Sequence, residues 1–202
     1  MSWIRTIPFE QATGKLKKLY ARVTGPDNNV DNIMMAHSLR PHSMEGHMVL
    51  YKNVLHHAGN TIPKWFLETL GVWVSERNGC DYCVRHHFAG LQRLLGDEAR
   101  GQAILAAIRH NTPSQAPLDA REQAAMVYAA KLARTPEDME QADVIALRDA
   151  GWGDGEILEI NQVTAYFCYA NRTVLGLGCS TAGDVLGLSP NKSEDPDDWG
   201  HS

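Results

Sequence analysis

The sequence predicts an all-α protein, and three observations support this prediction. Apolar residues recur at intervals of three and four along most of the 202-residue chain, which is the spacing of one face of a helix. The segments with this spacing tend to begin at capping residues or prolines and to end at turn signals. No run of β-branched residues alternates with polar residues at a period of two, as a half-buried strand would. We therefore expect a multihelical bundle.

The first part of the chain, up to residue 110, is expected to form six helices. The predicted spans are 9–23, 30–38, 42–57, 63–77, 80–95 and 97–110. Turn signals such as Gly25-Pro26-Asp27, Gly59-Asn60 and Asn78-Gly79 separate these spans, because glycine and proline interrupt helical backbone. Thr61 is a candidate cap of the fourth helix, and Pro63 suits its first turn.

Three more helices are expected in the rest of the chain, over 119–134, 135–150 and from 154 towards 183. Asp119 and Glu122 have the spacing of a capping box, and Thr135-Pro136 combines a cap with a proline at the first helical position. The segment 111–118 is short and polar and is the best candidate for a boundary inside the chain. We interpret it as a loop within one domain. We expect a single helical domain over 1–190 and a polar tail over 191–202.

A short spacing pattern occurs on both sides of the 111–118 boundary. Glu156 and Cys168 are twelve residues apart, as are Glu68 and Cys80, but the later positions of the two segments do not match. Duplication of a helical unit and chance both explain two matched positions.

Composition and charge exclude several classes of protein. Hydrophobic residues at 44% and charged residues at 21% are ordinary for a globular protein, and a net charge of −5 argues against a nucleic-acid binder. The N-terminus has no basic segment followed by an apolar run, so we predict no signal peptide, and no apolar stretch is long enough for a transmembrane helix. Four cysteines in a chain of this length do not make a secreted disulfide framework. We therefore predict a cytoplasmic protein.

The stretch from residue 68 to residue 87 gathers the most reactive side chains of the sequence. Cys80 and Cys83 are expected in the first turn of a helix, where free backbone N–H groups and the helix dipole favour a thiolate. His87 follows Cys83 by four residues, so the imidazole and the sulfur share one helical face. The sequence therefore predicts an activated dithiol with a base beside it.

Two carboxylates are candidates for the partner of His87. At 1.5 Å per residue, Glu68 lies roughly 15 Å before the turn and His87 about 12 Å beyond it, so the two stand opposite each other in an antiparallel helical hairpin. Glu76 instead lies one turn from Cys80. We predict that Glu68 pairs with His87 and that Glu76 is a secondary candidate nearer the mouth of the site.

The four main candidates have the spacing Glu-x11-Cys-x2-Cys-x3-His. With this spacing the chain resembles the alkyl hydroperoxidase D-like (AhpD-like) proteins of the carboxymuconolactone decarboxylase superfamily. The later part of the chain also looks like the peroxidase-related branch of that superfamily, so the resemblance covers most of the sequence. The later positions that carry it are Glu122, Thr135-Pro136-Glu137, 143–147, 156–158 and Asn171-Arg172.

The resemblance implies an AhpD-like multihelical bundle and a peroxidase that works through a dithiol. It assigns Cys83 as the peroxidatic cysteine, which becomes a sulfenic acid, and Cys80 as the resolving cysteine. It assigns Glu68 and His87 to a proton relay. It also implies a hydroperoxide substrate, a dithiol or lipoyl-type reductant, and a homo-oligomer that is a dimer, a trimer or a hexamer. Nucleic acid and membrane are not expected as partners, and neither a cofactor nor a metal is expected.

The chain departs from the hydroperoxidase pattern at Tyr82, a secondary candidate for the site. Members closest to the characterised activity tend to carry histidine just before the second cysteine. A neutral phenol does not relay protons as an imidazole does near neutral pH, and Asp81 raises the pKa of a neighbouring thiol. The departure bears on the peroxidase rate more than on the dithiol chemistry.

Other interpretations of the same residues stay open. Cys80, Cys83, His87 and Glu68 form a possible Zn²⁺ ligand set, although structural zinc sites usually bring a second pair of ligands from a distant segment. The decarboxylase or lactone-processing chemistry of the superfamily is an alternative enzyme class. A non-catalytic helical oligomeric protein is a further alternative.

The remaining polar and sulfur-containing residues have simpler interpretations. Cys168 and Cys179 are predicted to be small buried hydrophobes. Arg172 lies in an apolar helix and is expected to be buried with an acidic partner, at a subunit contact or in the pocket. Five histidines do not share one helical face, so they are predicted to be solvated or at the edge of the core rather than metal ligands. These five are His37, His42, His47, His56 and His57.

Overall fold

The computed structural model describes residues 2–25, 28–190 and 199–201. Over these ranges the chain is helical and has no strand, and an isolated antiparallel bridge joins Pro190 to His201. The all-α prediction is therefore confirmed. The helices are α1 (Gly14–Val23), α2 (Asn32–Ala36), α3 (Pro41–Tyr51), α4 (Lys64–Arg77), α5 (Asp81–Leu95), α6 (Glu98–Arg109), α7 (Ala120–Arg134), α8 (Gln141–Asp149) and α9 (Asp154–Leu177).

Helix α4 is the centre of the bundle. Every residue from 66 to 75 is buried, and the helix packs against α5, α7 and α9. The contact with α9 is close because Gly71 has no side chain: a Cβ atom there would come 2.2 Å from Cζ of Phe167. A helix that is apolar on nearly all sides is expected in the interior of a bundle, since no face of it suits water.

The turn between α4 and α5 positions the reactive stretch. Gly79 adopts φ 69, a left-handed conformation that suits glycine, and the backbone N–H of Cys80 donates to the carbonyl oxygen of Ser75 at 2.9 Å. The chain therefore reverses direction within a few residues. Helix α5 then packs along α4, so residues far from the turn on both helices meet.

Several predicted helices are shorter or more broken than the sequence indicates. The segment over 9–23 is a 3₁₀ turn, Phe9–Gln11, followed by α1. The segment over 42–57 leaves α-helical geometry after Tyr51 and continues as a π-helical turn, Lys52–His56. Helix α9 ends at Leu177 rather than near residue 183, because Gly178 adopts φ 62 and caps it.

The helix predicted over 135–150 also begins later than expected. Residues Pro136–Asp138 form a separate 3₁₀ turn, and α8 starts at Gln141. A second capping arrangement explains this start, since the N–H of Glu140 donates to Oδ2 of Asp143 at 2.7 Å. The capping box of Asp119 and Glu122 at the start of α7 is present as predicted.

The predicted polar tail over 191–202 lies partly outside the described residues, since residues 191–198 and 202 are not among them. Trp199 is nevertheless 1% exposed and packs in the core, with the guanidinium of Arg22 3.6 Å from its ring centre. The prediction of a solvated tail is therefore wrong at Trp199. Burying the large apolar indole ring stabilises the fold.

Among the described residues, no helix is both long enough and apolar enough to cross a membrane.

Candidate active site

The two cysteines of the reactive stretch lie at the start of α5. Cys80 is the N-cap residue, one position before the helix, and Cys83 is in the first turn. Their sulfur atoms are 3.2 Å apart, both thiols are free, and the two residues are 0% and 3% exposed. A disulfide bond requires about 2.0 Å between the sulfurs, so a small rotation of the side chains is enough to form one.

The pair holds a negative charge better on one sulfur than on the other. The hydrogen bond between the sulfurs lowers the pKa of Cys80, and burial opposes this effect. The same hydrogen bond, together with burial, raises the pKa of Cys83 well above its usual range. When the pair loses its first proton, the charge therefore stays on Cys80 and the Cys83 thiol donates to it.

Asn171 of α9 forms hydrogen bonds with the dithiol. Its side chain is fully buried, its Nδ2 donates to Oγ of Ser75 at 3.0 Å, and its Oδ1 accepts from Asn78 at 2.9 Å. The hydrogen bond between the two sulfurs has the larger effect on the pKa of each cysteine, and a hydrogen bond from Asn171 makes a smaller contribution that lowers both pKa values. The neighbouring residue differs from its prediction. Arg172 was expected to be buried with an acidic partner, but it is exposed and donates to the carbonyl oxygen of Cys168, so this prediction is wrong.

Glu68 and His87 form a buried pair across the α4–α5 hairpin. Oε2 of Glu68 is 2.6 Å from Nδ1 of His87, and Glu68 is 2% exposed. The ring of Phe167 meets the imidazole edge-on at 4.6 Å between ring centres, and Tyr51 meets it edge-on at 6.1 Å. These contacts fix the ring, and with Nδ1 bonded to the carboxylate the other ring nitrogen is left for proton transfer.

Cys83 and the Glu68–His87 pair line the same small cavity. Its volume is about 40 Å³, and Cys83, Glu68, His87 and Tyr82 all line it. Glu76 does not line this cavity and is half-buried near the end of α4, so its predicted place at the mouth of the site is not supported. Cys80 lines a different depression.

Tyr82 belongs to a polar network that the motif does not contain. Its hydroxyl donates to Oδ2 of Asp184 at 2.7 Å and accepts from the backbone N–H of Ile33 at 3.1 Å. Nε2 of His86 lies 3.1 Å from the same oxygen of Asp184. Asp31 is close to both, and burial raises its pKa from 3.8 to about 6. Burial also raises the pKa of Tyr82 well above its usual range, so the phenol is neutral.

The network also defines a possible metal-ligand set. Ligand atoms of Asp31, His86 and Asp184 lie within 4.8 Å of one another. However, Asp184 already accepts hydrogen bonds from the backbone and side chain of Asn32 in addition to Tyr82 and His86, so its lone pairs are engaged. Over the described ranges, the set Cys80, Cys83, His87 and Glu68 does not come together as such a group.

Three of the five histidines between residues 37 and 57 differ from the prediction. His37, His47 and His56 are buried rather than solvated or at the core edge, whereas His42 is exposed and His57 is half-buried, as predicted. The His47 ring packs among aromatic rings, and its centre is 5.8 Å from that of Tyr166. Burial lowers the pKa of His47 to about 3, so this imidazole is neutral. The sequence predicted that Cys168 and Cys179 are buried, but both are half-buried.

Two solved structures share this fold. One is the crystal structure of the alkylhydroperoxidase AhpD core of an uncharacterized peroxidase-related protein from Ralstonia eutropha JMP134, with a TM-score of 0.77, 20% identity, and coverage of 92% of this chain and 97% of that chain. Another is an uncharacterized peroxidase-related protein from Silicibacter sp. TM1040, with a TM-score of 0.71, 27% identity, and coverage of 88% and 87%. The predicted AhpD-like fold is therefore confirmed. No family model and no curated protein matches the sequence.

Proposed function

We propose that this protein is a thiol-dependent peroxidase that reduces small hydroperoxides through the Cys80–Cys83 dithiol. One observation carries the proposal: Cys83 lines the same small cavity as the hydrogen-bonded Glu68–His87 pair, and the sulfur of Cys80 is 3.2 Å from that of Cys83. An attacking sulfur and a base thus line one cavity, and a resolving sulfur lies next to the attacking sulfur. The names of the two structural neighbours are consistent with this chemistry.

The Glu68–His87 pair is suited to take the proton of Cys83. Glu68 accepts from Nδ1 of His87, so Nε2 of the ring is the basic nitrogen. His87 follows Cys83 by one helical turn on α5, and both line the cavity. A proton therefore passes from Cys83 to His87 directly or through water in the cavity. This transfer is needed because the hydrogen bond with Cys80, together with burial, raises the pKa of Cys83.

The reaction has two covalent steps. The Cys83 thiolate attacks one peroxide oxygen, the O–O bond breaks, and the leaving alkoxide takes the proton from His87 to become an alcohol. Cys83 is then a sulfenic acid. The Cys80 thiolate attacks the Cys83 sulfur, the S–O bond breaks, and hydroxide leaves with a proton as water. The peroxide has been reduced by two electrons and the dithiol oxidised to a disulfide.

The size of the cavity limits the substrate. A volume of about 40 Å³ holds about three water-sized groups, since one water needs about 10–15 Å³ on the same scale. Hydrogen peroxide and short alkyl hydroperoxides fit this space, whereas a fatty-acid hydroperoxide needs the cavity to open. Met34, Met48 and Tyr51 make part of the wall apolar, which suits a short alkyl group.

A reductant must return the disulfide to the dithiol in each cycle. An external dithiol is the appropriate class, because its two thiols release the protein disulfide and close into a disulfide of their own. The dithiol or lipoyl-type carrier implied by the resemblance belongs to this class.

The test is hydroperoxide consumption with rapid quenching and mass mapping of the cysteines. We expect the protein to consume one peroxide per chain and to form a Cys80–Cys83 disulfide. Cys83→Ser is expected to reduce the rate to background, and Cys80→Ser is expected to stop at the sulfenic acid. Cys168→Ser is the matched control and should behave as the unchanged protein. Oxidation of Cys168 with Cys80 and Cys83 still reduced would contradict the proposal and favour a decarboxylase-like or non-catalytic role.

A further inference from the structure

The cysteine motif has a third sulfur beside it. Cys179 packs against the cluster formed by Cys80, Tyr82, Cys83 and Val174, and its backbone N–H donates to the carbonyl of Val174 at 3.0 Å. Cys179 lies just after the Gly178 cap of α9, in a loop rather than inside a helix. Its side chain can therefore move by small changes in loop backbone, whereas Cys80 and Cys83 are held at the start of α5.

The two cysteines of the dithiol line different cavities. Cys83 lines the small cavity of about 40 Å³ described above, but Cys80 lines a separate surface groove of about 350 Å³. Cys179 lines the same groove as Cys80. Trp3, which is 79% exposed, and Leu175, which is 44% exposed, also contribute to the groove and give it an apolar rim.

Burial creates a difficulty for re-reduction of the dithiol. Cys80 is 0% exposed and Cys83 is 3% exposed, and the cavity on the Cys83 side is too small for a dithiol on a carrier. Thiol–disulfide exchange requires the attacking thiolate to reach a disulfide sulfur directly. Cys179 is half-buried in the larger groove and is the sulfur of this cluster that an external thiol can reach.

We propose that Cys179 is a relay thiol that moves the disulfide from the buried site to the groove, where an external dithiol on an aliphatic arm reduces it. This inference rests on the proposed peroxidase function and names the route by which electrons enter. The exposed tryptophan and leucine of the groove suit an aliphatic arm, because they offer apolar surface next to the sulfur.

Each step of the relay balances. The Cys179 thiolate attacks the Cys80 sulfur, a Cys80–Cys179 bond forms, the Cys80–Cys83 bond breaks, and its electron pair stays on Cys83, which regains a proton. This step is an exchange without net oxidation. One thiolate of the external dithiol then attacks the Cys179 sulfur and releases Cys80, and the second thiol closes the carrier disulfide and releases Cys179. The carrier is oxidised by two electrons and the protein is reduced by two.

Burial raises the pKa of Cys179, so it is mainly a protonated thiol at rest and does not compete with the dithiol for peroxide.

The first experiment compares single-turnover oxidation with steady-state turnover, using dihydrolipoamide as the reductant. Cys179→Ser is expected to form the Cys80–Cys83 disulfide from peroxide at the rate of the unchanged protein, but to turn over at least tenfold more slowly. Cys168→Ser should be unchanged in both measurements. Equal turnover of Cys179→Ser and the unchanged protein would overturn the relay and leave the peroxidase proposal standing. If the unchanged protein does not form the Cys80–Cys83 disulfide from peroxide in a single turnover, the peroxidase proposal itself is contradicted.

A second experiment does not depend on peroxide chemistry. The variant with Cys83→Ser and Cys168→Ser retains only Cys80 and Cys179, and an aromatic disulfide reagent should first label the more exposed Cys179. We expect Cys80 to displace the label, with release of two equivalents of the coloured thiol and a Cys80–Cys179 disulfide in the mass map. A stable adduct on Cys179 and release of a single equivalent would show that the two sulfurs do not meet, and would overturn the inference.

Discussion

Oε2 of Glu68 lies 2.6 Å from Nδ1 of His87, although 19 residues separate the two along the chain. The pair joins the middle of α4 to the middle of α5 and borders the cavity that Cys83 lines. It is the strongest geometric support for the proposed proton transfer, because a carboxylate on one ring nitrogen orients the other nitrogen.

Glu68→Gln is expected to slow oxidation of the dithiol by peroxide by about 10²-fold, the typical contribution of a positioned base. The amide keeps a similar shape but no longer stabilises the charged imidazole. Stopped-flow measurement of peroxide consumption gives the rate, and thermal unfolding shows whether the fold is retained. Glu76→Gln changes the same residue type on the same helix outside the cavity, so its rate should stay within about twofold of the unchanged protein. Equal rates for both variants would remove Glu68 from the mechanism.

Tyr82→Phe is expected to lower stability but not the rate of dithiol oxidation. The phenol donates to Asp184 and accepts from Ile33, so its loss leaves buried polar groups without a partner and reduces the free energy of unfolding by about 1–3 kcal/mol. Urea denaturation measures this change, and peroxide consumption should stay within about threefold. Tyr128→Phe is the control for loss of a tyrosine hydroxyl, because the hydroxyl that it removes accepts a hydrogen bond from Asn161. A 100-fold slower variant that folds normally would instead place the phenol in the chemistry.

Asn171→Ala is expected to raise the pKa of Cys80, because a hydrogen bond from Asn171 lowers it in the native protein. Titration of the thiolate by its ultraviolet absorbance measures this shift. The variant should also unfold more easily by about 1–3 kcal/mol, since Ser75 and Asn78 each lose a partner. Asn161→Ala is on the same helix and away from the sulfurs, and it should leave the thiol titration unchanged. A lower Cys80 pKa in Asn171→Ala would contradict this role.

Asp31→Asn is expected to stabilise the protein at pH 7. Burial raises the pKa of Asp31 from 3.8 to about 6, so the folded state binds this proton more tightly than the unfolded state does. Its contribution to the free energy of unfolding is therefore present below about pH 4 and is lost as the pH rises to about 6. The variant should gain about 3 kcal/mol at pH 7 and nothing below about pH 4. Urea denaturation across this range is the measurement, and a less stable variant at pH 7 would contradict the assignment.

Local features of the fold and of the site follow from the sequence with few errors. Caps and turn residues act within a few positions, so the capping box of Asp119 and Glu122 and the turn at Asn78-Gly79 are predictable. The Glu68–His87 contact is predictable for the same reason, because two helices of fixed rise joined by a tight turn have a known register. The π-helical turn after Tyr51 and the late start of α8 were not predicted, since packing and competing caps decide them.

The sequence by itself determined the helical class, the hairpin and the candidate side chains of the site, because these depend on interactions between near neighbours. Only the tertiary structure decided which distant residues surround them. Asn171 contacts the dithiol, Asp184 binds Tyr82 from 102 residues away, and Cys179 lines the groove of Cys80. No periodicity or spacing encodes such contacts, since they arise from the packing of α9 and the loop after it onto the α4–α5 hairpin, where burial and hydrogen bonding set the acidity of each sulfur.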